Sequence, residues 1–142
     1  MSAAADSRAS LSIAESLCTF MAFDYGEKRT GVAVGNRLLG TAQPQGSIQA
    51  QGDARFVQIE KRLQEWQPDA IVIGVPYHPD GTPHENTTRA KKFGRQLQGR
   101  FHLPVFEVDE RYSTTEALAS GAKDADAASA CIILQQFLRQ LA

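Results

Sequence analysis

The stretch T-F-M-A-F-D-Y-G-E-K-R-T-G-V-A-V, residues 19–34, decides how this chain folds. Residues 19–23 read as an apolar strand, residues 25–28 with Gly26 and their charges as a tight turn, and residues 30–34 as an antiparallel return of small, β-compatible residues. Asp24 then directly follows an apolar strand, where a carboxylate is costly unless it is hydrogen-bonded, paired or on a metal. A turn aspartate beside Gly26 is the ordinary alternative. Gly26 and Gly31 let the backbone turn tightly or approach a phosphate closely. Lys28 and Arg29 could contact phosphate oxygens, or simply be solvated charges at a hairpin tip.

Outward from this hairpin, residues 38–48 add a third strand, in which Pro44 argues for a sheet edge or bulge. Phe56, Ile59, Leu63 and Trp66 recur at helical spacing with charges between them, and Pro68 helps stop the helix. Residues 70–74, A-I-V-I-G, form the continuous apolar run of a buried parallel strand. A loop at 75–83 leads to a second helix with its stripe at Ala90, Phe93 and Leu97, and residues 104–108 give the next strand. A short helix over 114–119 and a longer one over 126–141 close the order βββαβαβαα. An antiparallel hairpin followed by alternating helices and strands makes an α/β protein with a mixed sheet and helices on its faces. Right-handed crossovers place the carboxyl ends of its parallel strands beside one cleft.

With 142 residues and 42% hydrophobic content, the chain supports one domain, residues 19–142, behind an Ala- and Ser-rich extension, residues 1–18, expected to be flexible. Fifteen Lys and Arg against 16 Asp and Glu give a net charge of -1, so any nucleic-acid reading must come from the distribution of charge. Cys18 and Cys131 lie at opposite ends without metal-type spacing, as expected of buried thiols in a reducing cytoplasm. Asp6, Arg8 and Glu15 interrupt the start where a secretory signal needs an apolar run, which argues against export. No apolar run approaches the roughly 20 residues of a membrane span. His78, His84 and His102 lack zinc-like spacing and read as surface or loop residues.

Two further acidic motifs join Asp24. In Asp109-Glu110-Arg111, strand alternation sends the two acids to opposite faces, so one of them faces the cleft, and spacing does not choose which. Arg111 could orient a carboxylate, bind phosphate bidentately or form a structural ion pair. Ser113 and Glu116 have the spacing of a capping box. Asp126 suits an N-cap or first-turn position, or could lean into the cleft, with Asp124 as its competitor. Acidic oxygens gathered around a cleft suit a hard cation such as Mg²⁺ and phosphodiester chemistry. Arg89, Lys91, Lys92, Arg95 and Arg100 crowd the second helix with no acid over 87–106, which gives either a phosphate-binding face or a solvated one.

Taken together, F-D-Y-G-E-K-R-T-G-V-A, I-G-V-P with D-G-T, V-D-E-R-Y-S-T and D-A-D-A-A-S-A-C-I-I-L resemble the YqgF/RuvX family, over residues 20–138. The resemblance implies a ribonuclease H-like fold with a mixed five-stranded sheet, and a nuclease that processes the 5′ end of the 16S rRNA precursor in the bacterial cytoplasm. The family is also described as Holliday-junction-resolvase-like. The resemblance maps the catalytic and metal-binding positions onto Asp24, Glu110 and Asp126, with Mg²⁺ or Mn²⁺ as cofactor. Lys28, Arg29, Arg111, Arg89, Lys92 and Arg95 are then the candidates for contacting nucleic acid. It implies pre-16S rRNA or another structured nucleic acid as partner, the small ribosomal subunit as setting, no membrane, and a monomer or weak dimer. Three other readings stand beside this one: a four-way DNA junction resolvase, a non-catalytic assembly factor gripping RNA through residues 89–100, and a nucleotide-binding module. The last follows from the glycine turn, which resembles the phosphate loop of actin and sugar-kinase-like ATPases, but the chain supplies one lobe where those enzymes close two.

Overall fold

Five strands and three helices follow in the order βββαβαβα in the computed structural model, which describes residues 13–110 and 124–141. The strands are β1 (Thr19–Tyr25), β2 (Thr30–Asn36), β3 (Thr41–Ile48), β4 (Ala70–Pro76) and β5 (Val105–Glu110). The helices are α1 (Gly52–Trp66), α2 (Glu85–Phe101) and α3 (Ala125–Gln140). The sheet order is β3-β2-β1-β4-β5, with β1, β2 and β3 antiparallel and β4 and β5 running parallel to β1. This is the mixed five-stranded α/β sheet expected of a ribonuclease H-like fold. The helix expected over 114–119, its Ser113–Glu116 box and Arg111 lie outside the described residues.

Alternation of side chains along the strands divides the core in two. Met21, Phe23, Val32, Ile71 and Ile73 pack against Ile59 and Leu63 of α1 and Phe93 and Leu97 of α2. On the opposite face Phe20, Ala22, Ala33, Val72 and Val108 pack against Ile133, Leu134 and Phe137 of α3. Because β4 is covered on both faces, it reads as an unbroken apolar run. Pro44 sits on edge strand β3, near a register shift between Gly31 and Ala33.

Several sequence expectations shift. The third strand begins at Thr41 rather than residue 38, because the Asn36 side chain accepts the Leu38 N–H at 2.8 Å and Gly40 takes φ +67°, making a turn. Trp66 is 39% exposed at the end of α1, where Gln67 turns left-handed, so it leaves the stripe that its spacing suggested. Cys18 and Cys131 are free and half-buried rather than buried; burial raises the Cys131 thiol pKa. Of residues 1–18, those from Ile13 onward are described, and Ile13 and Leu17 pack against the α3-side core. The Asp69 carboxylate holds the start of β1, accepting the Cys18 and Thr19 N–H groups at 2.9 Å each. Two extensions matter most for the site. β1 runs through Tyr25 and β5 through Glu110, so Asp24 and Glu110 lie inside strands rather than just beyond them.

Candidate active site

Sheet register gathers the acidic motifs. Asp24 pairs with Gly31 across β1 and β2, Phe23 with Ile73 across β1 and β4, and Pro76 with Glu110 across β4 and β5. Counting by twos from Phe20, Ala33, Val72 and Val108 puts Asp24, Gly31, Gly74 and Glu110 on the face covered by α3. The first turn of α3 brings Asp126 to the same place. Asp24, Glu110 and Asp126 line one open cleft of about 470 Å³, shared with Arg29, Asn86 and Arg89.

Two glycines make this approach possible. A Cβ on Gly31 would lie 1.9 Å from the Asp126 carbonyl oxygen, so the start of α3 rests directly on β2. A Cβ on Gly74 would lie 2.2 Å from Glu110 Oε2, so the glutamate side chain crosses β4 where no side chain blocks it. The choice between the adjacent acids is thereby made by the sheet: Glu110 lines the cleft, whereas Asp109 is exposed and does not.

The two aspartates of α3 divide two tasks. Asp124 is the N-cap, its carboxylate accepting the Ala127 N–H at 3.0 Å and the Ser47 hydroxyl at 2.8 Å. Burial pushes its pKa up, but these hydrogen bonds outweigh burial and hold the carboxyl below its ordinary range. Asp126, one step into the helix, is free of capping duty and meets Arg29 Nε at 2.9 Å, with Ser47 Oγ 3.4 Å away. The residues present suit a hard divalent cation in kind, since three carboxylates share one cleft, lined also by Gly74, which carries no side chain. As they stand, no three carboxylate, imidazole or thiol groups among the described residues could hold one ion together. Arg29 occupies Asp126 in that arrangement.

The basic candidates separate by position. Arg29 and Arg89 line the acidic cleft, and Lys92 lines a cleft beside it. Lys28 and Arg95 are exposed and line neither. Much of the α2 charge is locally spent: Arg89 pairs with Glu85 at 2.6 Å, Lys91 with Glu107 at 2.9 Å, and Arg100 with Asp53 at 3.4 Å. The hydrogen bond with Glu107 raises the Lys91 pKa despite some desolvation.

Sequence reasoning passed over Ser47, Gly74, Asn86 and the start of α2. There His84 is the N-cap, its Nδ1 accepting the Asn86 N–H at 3.1 Å, while the Thr87 hydroxyl accepts the His84 N–H at 3.0 Å. Thr87 also donates to the Pro76 carbonyl, which ties α2 to the end of β4 beside the cleft. A histidine cap lacks the Ser/Thr-x-x-Glu signature, so the signal available was a buried Thr three residues after a non-standard cap.

The sequence profile of the RuvX family, described as Holliday junction resolvase, matches residues 18–140. A protein of Albidiferax ferrireducens named "Putative pre-16S rRNA nuclease" is 71% identical over 129 residues, covering 91% of this chain and 83% of that protein. One of the same name from a Polaromonas species is 70% identical over 125 residues, covering 88% and 91%. Among solved structures, Thermus thermophilus RuvC in complex with Holliday junction substrate aligns with a TM-score of 0.47 at 12% identity, covering 82% of this chain and 91% of that one.

Proposed function

The chain belongs to the RuvX family, and on that premise we propose that it is a metal-dependent nuclease whose single domain, residues 19–142, cuts precursor 16S rRNA. The observation that carries the chemistry is the convergence of Asp24, Glu110 and Asp126, from two strands and a helix, into one cleft beside Arg29 and Arg89. These three carboxylates would hold Mg²⁺ or Mn²⁺. A divalent cation held there supplies Lewis-acid polarisation of a phosphoryl oxygen and makes water a stronger nucleophile near neutral pH.

The chain's own groups do the positioning. Arg29 is 62% exposed and bound to Asp126, so when that carboxylate turns to a cation its guanidinium is placed to take a phosphate oxygen. Arg89 lines the same cleft, and Arg111, next in sequence to Glu110, is assigned the same task. The dipole at the start of α3 adds positive potential beside Asp126. Lys28 and Arg95, outside the clefts, contribute long-range attraction for the polyanion.

The substrate assignment draws on the names of the two close relatives. A cytoplasmic setting with the small ribosomal subunit nearby, and a monomer or weak dimer, complete the reading; no described helix is long and apolar enough to cross a membrane.

The test pairs wild type with Asp24→Asn on labelled 16S precursor 5′-end RNA and on a four-way DNA junction, in Mn²⁺, Mg²⁺ or EDTA. Metal-dependent RNA cleavage lost in the variant is the expected result. Junction-only cleavage would move the substrate to DNA. RNA binding without cleavage under any metal would make the chain an assembly factor.

A further inference from the structure

A second cleft of about 400 Å³ opens between the start of α1 and α2. It is continuous with the acidic cleft, since Tyr25, Glu27 and Arg89 line both. The group that sets its character is Arg55, which lines it while being only 4% exposed. A buried guanidinium normally faces a carboxylate, because removing a full charge from water costs several kcal/mol. Arg55 makes no ion pair among the described residues. Its Nε donates to the Ala50 carbonyl at 3.0 Å, one Nη donates to the Glu27 carbonyl, and its Cζ sits 4.6 Å from the centre of the Tyr25 ring. Carbonyl dipoles and a ring quadrupole fix the guanidinium without neutralising it, and a guanidinium has five N–H donors, most of them still available.

The surroundings add to that charge. Lys92 lines the same cleft one helical turn beyond Arg89 and makes no ion pair among the described residues. The start of α1 lies there too: Gln51 and Gly52 line the cleft, and Gln51 gives the first N–H groups of the helix no side-chain cap. The acids nearby are Glu27, which lines both clefts, Glu85, an exposed partner 2.6 Å from Arg89 that a phosphate would displace, and Asp53, which is 3.4 Å from Arg100.

We propose that this cleft is a phosphate-binding subsite for the single strand that continues from the scissile bond, with Arg55, Arg89 and Lys92 as its contacts. A notch between two helices admits one backbone rather than a duplex, and its shared wall with the acidic cleft makes the two stations consecutive along one strand. The identity of the strand rests on the nuclease reading; the phosphate site does not.

The experiment measures fluorescence anisotropy of a short labelled single-stranded RNA on the full chain in EDTA, so that cleavage does not enter. Arg55→Gln should weaken binding roughly 10- to 150-fold, the effect of one charge-assisted hydrogen-bonded contact. Lys92→Gln, an exposed change that spares the fold, should also weaken it and lower the slope of log K against log salt by about 0.7. Arg139→Gln, at the far end of α3, carries the same charge change and should bind as wild type. If Lys92→Gln and a folded Arg55→Gln both bind RNA as wild type does, the subsite is refuted; should Arg55→Gln melt, Lys92→Gln alone decides. Inorganic phosphate that raises the wild-type Tm but not that of Arg55→Gln, with RNA affinity unmoved in both variants, would make this a free-phosphate site and overturn the strand assignment. Loss of the nuclease reading in the Asp24→Asn assay leaves these binding outcomes intact, so the two failures are distinguishable.

Discussion

Replacing Gly31 by alanine should cripple both stability and cleavage through one added methyl group. Its Cβ would stand 1.9 Å from the Asp126 carbonyl oxygen and 2.3 Å from the carbonyl carbon, where ordinary contact begins at 3.4 Å. Both neighbours are backbone, so no rotamer change relieves the clash, and either α3 lifts from β2 or the β1–β2 ladder bends at Asp24. Overpacking of this kind costs about 1–3 kcal/mol, which for a chain of this length corresponds to a fall in Tm of roughly 3–10 °C. Activity should fall further than stability, because lifting α3 carries Asp126 out of reach of its partners, and a misplacement of about 1 Å at a reacting centre can cost about 100-fold. Calorimetry and metal-dependent cleavage read the two effects. Gly99→Ala is the control: nothing lies within 4 Å of its Cβ, it sits inside α2, and it should stabilise by about 0.5–1 kcal/mol. A Gly31→Ala protein with wild-type Tm and wild-type cleavage would refute the claim that this glycine seats the acidic helix.

Two further expectations concern stability. Asp69 has its pKa lowered by hydrogen bonds from the Thr19 and Cys18 N–H groups, below the ordinary value of 3.8. Its contribution should therefore be fully present above that pH and lost as pH falls through the lowered folded value; Asp69→Ala should cost about 1 kcal/mol at pH 7, and the Tm gap to wild type, followed from pH 7 to 2, should close at the acidic end. A gap that widens on acidification would show the sign to be wrong. Thr30 is fully buried, and its hydroxyl has no hydrogen-bond partner among the described residues, so Thr30→Val should raise stability by about 1 kcal/mol. A lower Tm would mean that the hydroxyl is satisfied in solution.

Much of the architecture was legible because it depends on local periodicity. The run Ala-Ile-Val-Ile-Gly announces a strand buried on both faces, and the spacing of Phe56, Ile59 and Leu63 announces a helix with one apolar side, each within a short window. Boundaries were less legible: Asp24 and Glu110 looked like residues just past their strands, because a carboxylate at a strand end resembles a turn residue until its pairing partners are known. The basic helix misled in another way. Its charges stand out in sequence, yet Lys91 and Arg100 are matched by Glu107 and Asp53, acids that lie far along the chain and appear beside them only after folding.

The sequence by itself determined the order of the described elements, the family, and the three acidic motifs, because propensity, turn chemistry and motif spacing act over neighbouring residues. The tertiary structure alone decided which carboxylate of Asp109 and Glu110 enters the cleft, that Asp124 caps α3 while Asp126 is left to face Arg29, and that Arg55 lies buried beside the site with no ion pair among the described residues. Each of these depends on strand register, on a missing Cβ opposite a helix, or on charges brought together from distant segments, and such quantities exist only once the sheet has paired and the helices have closed over it.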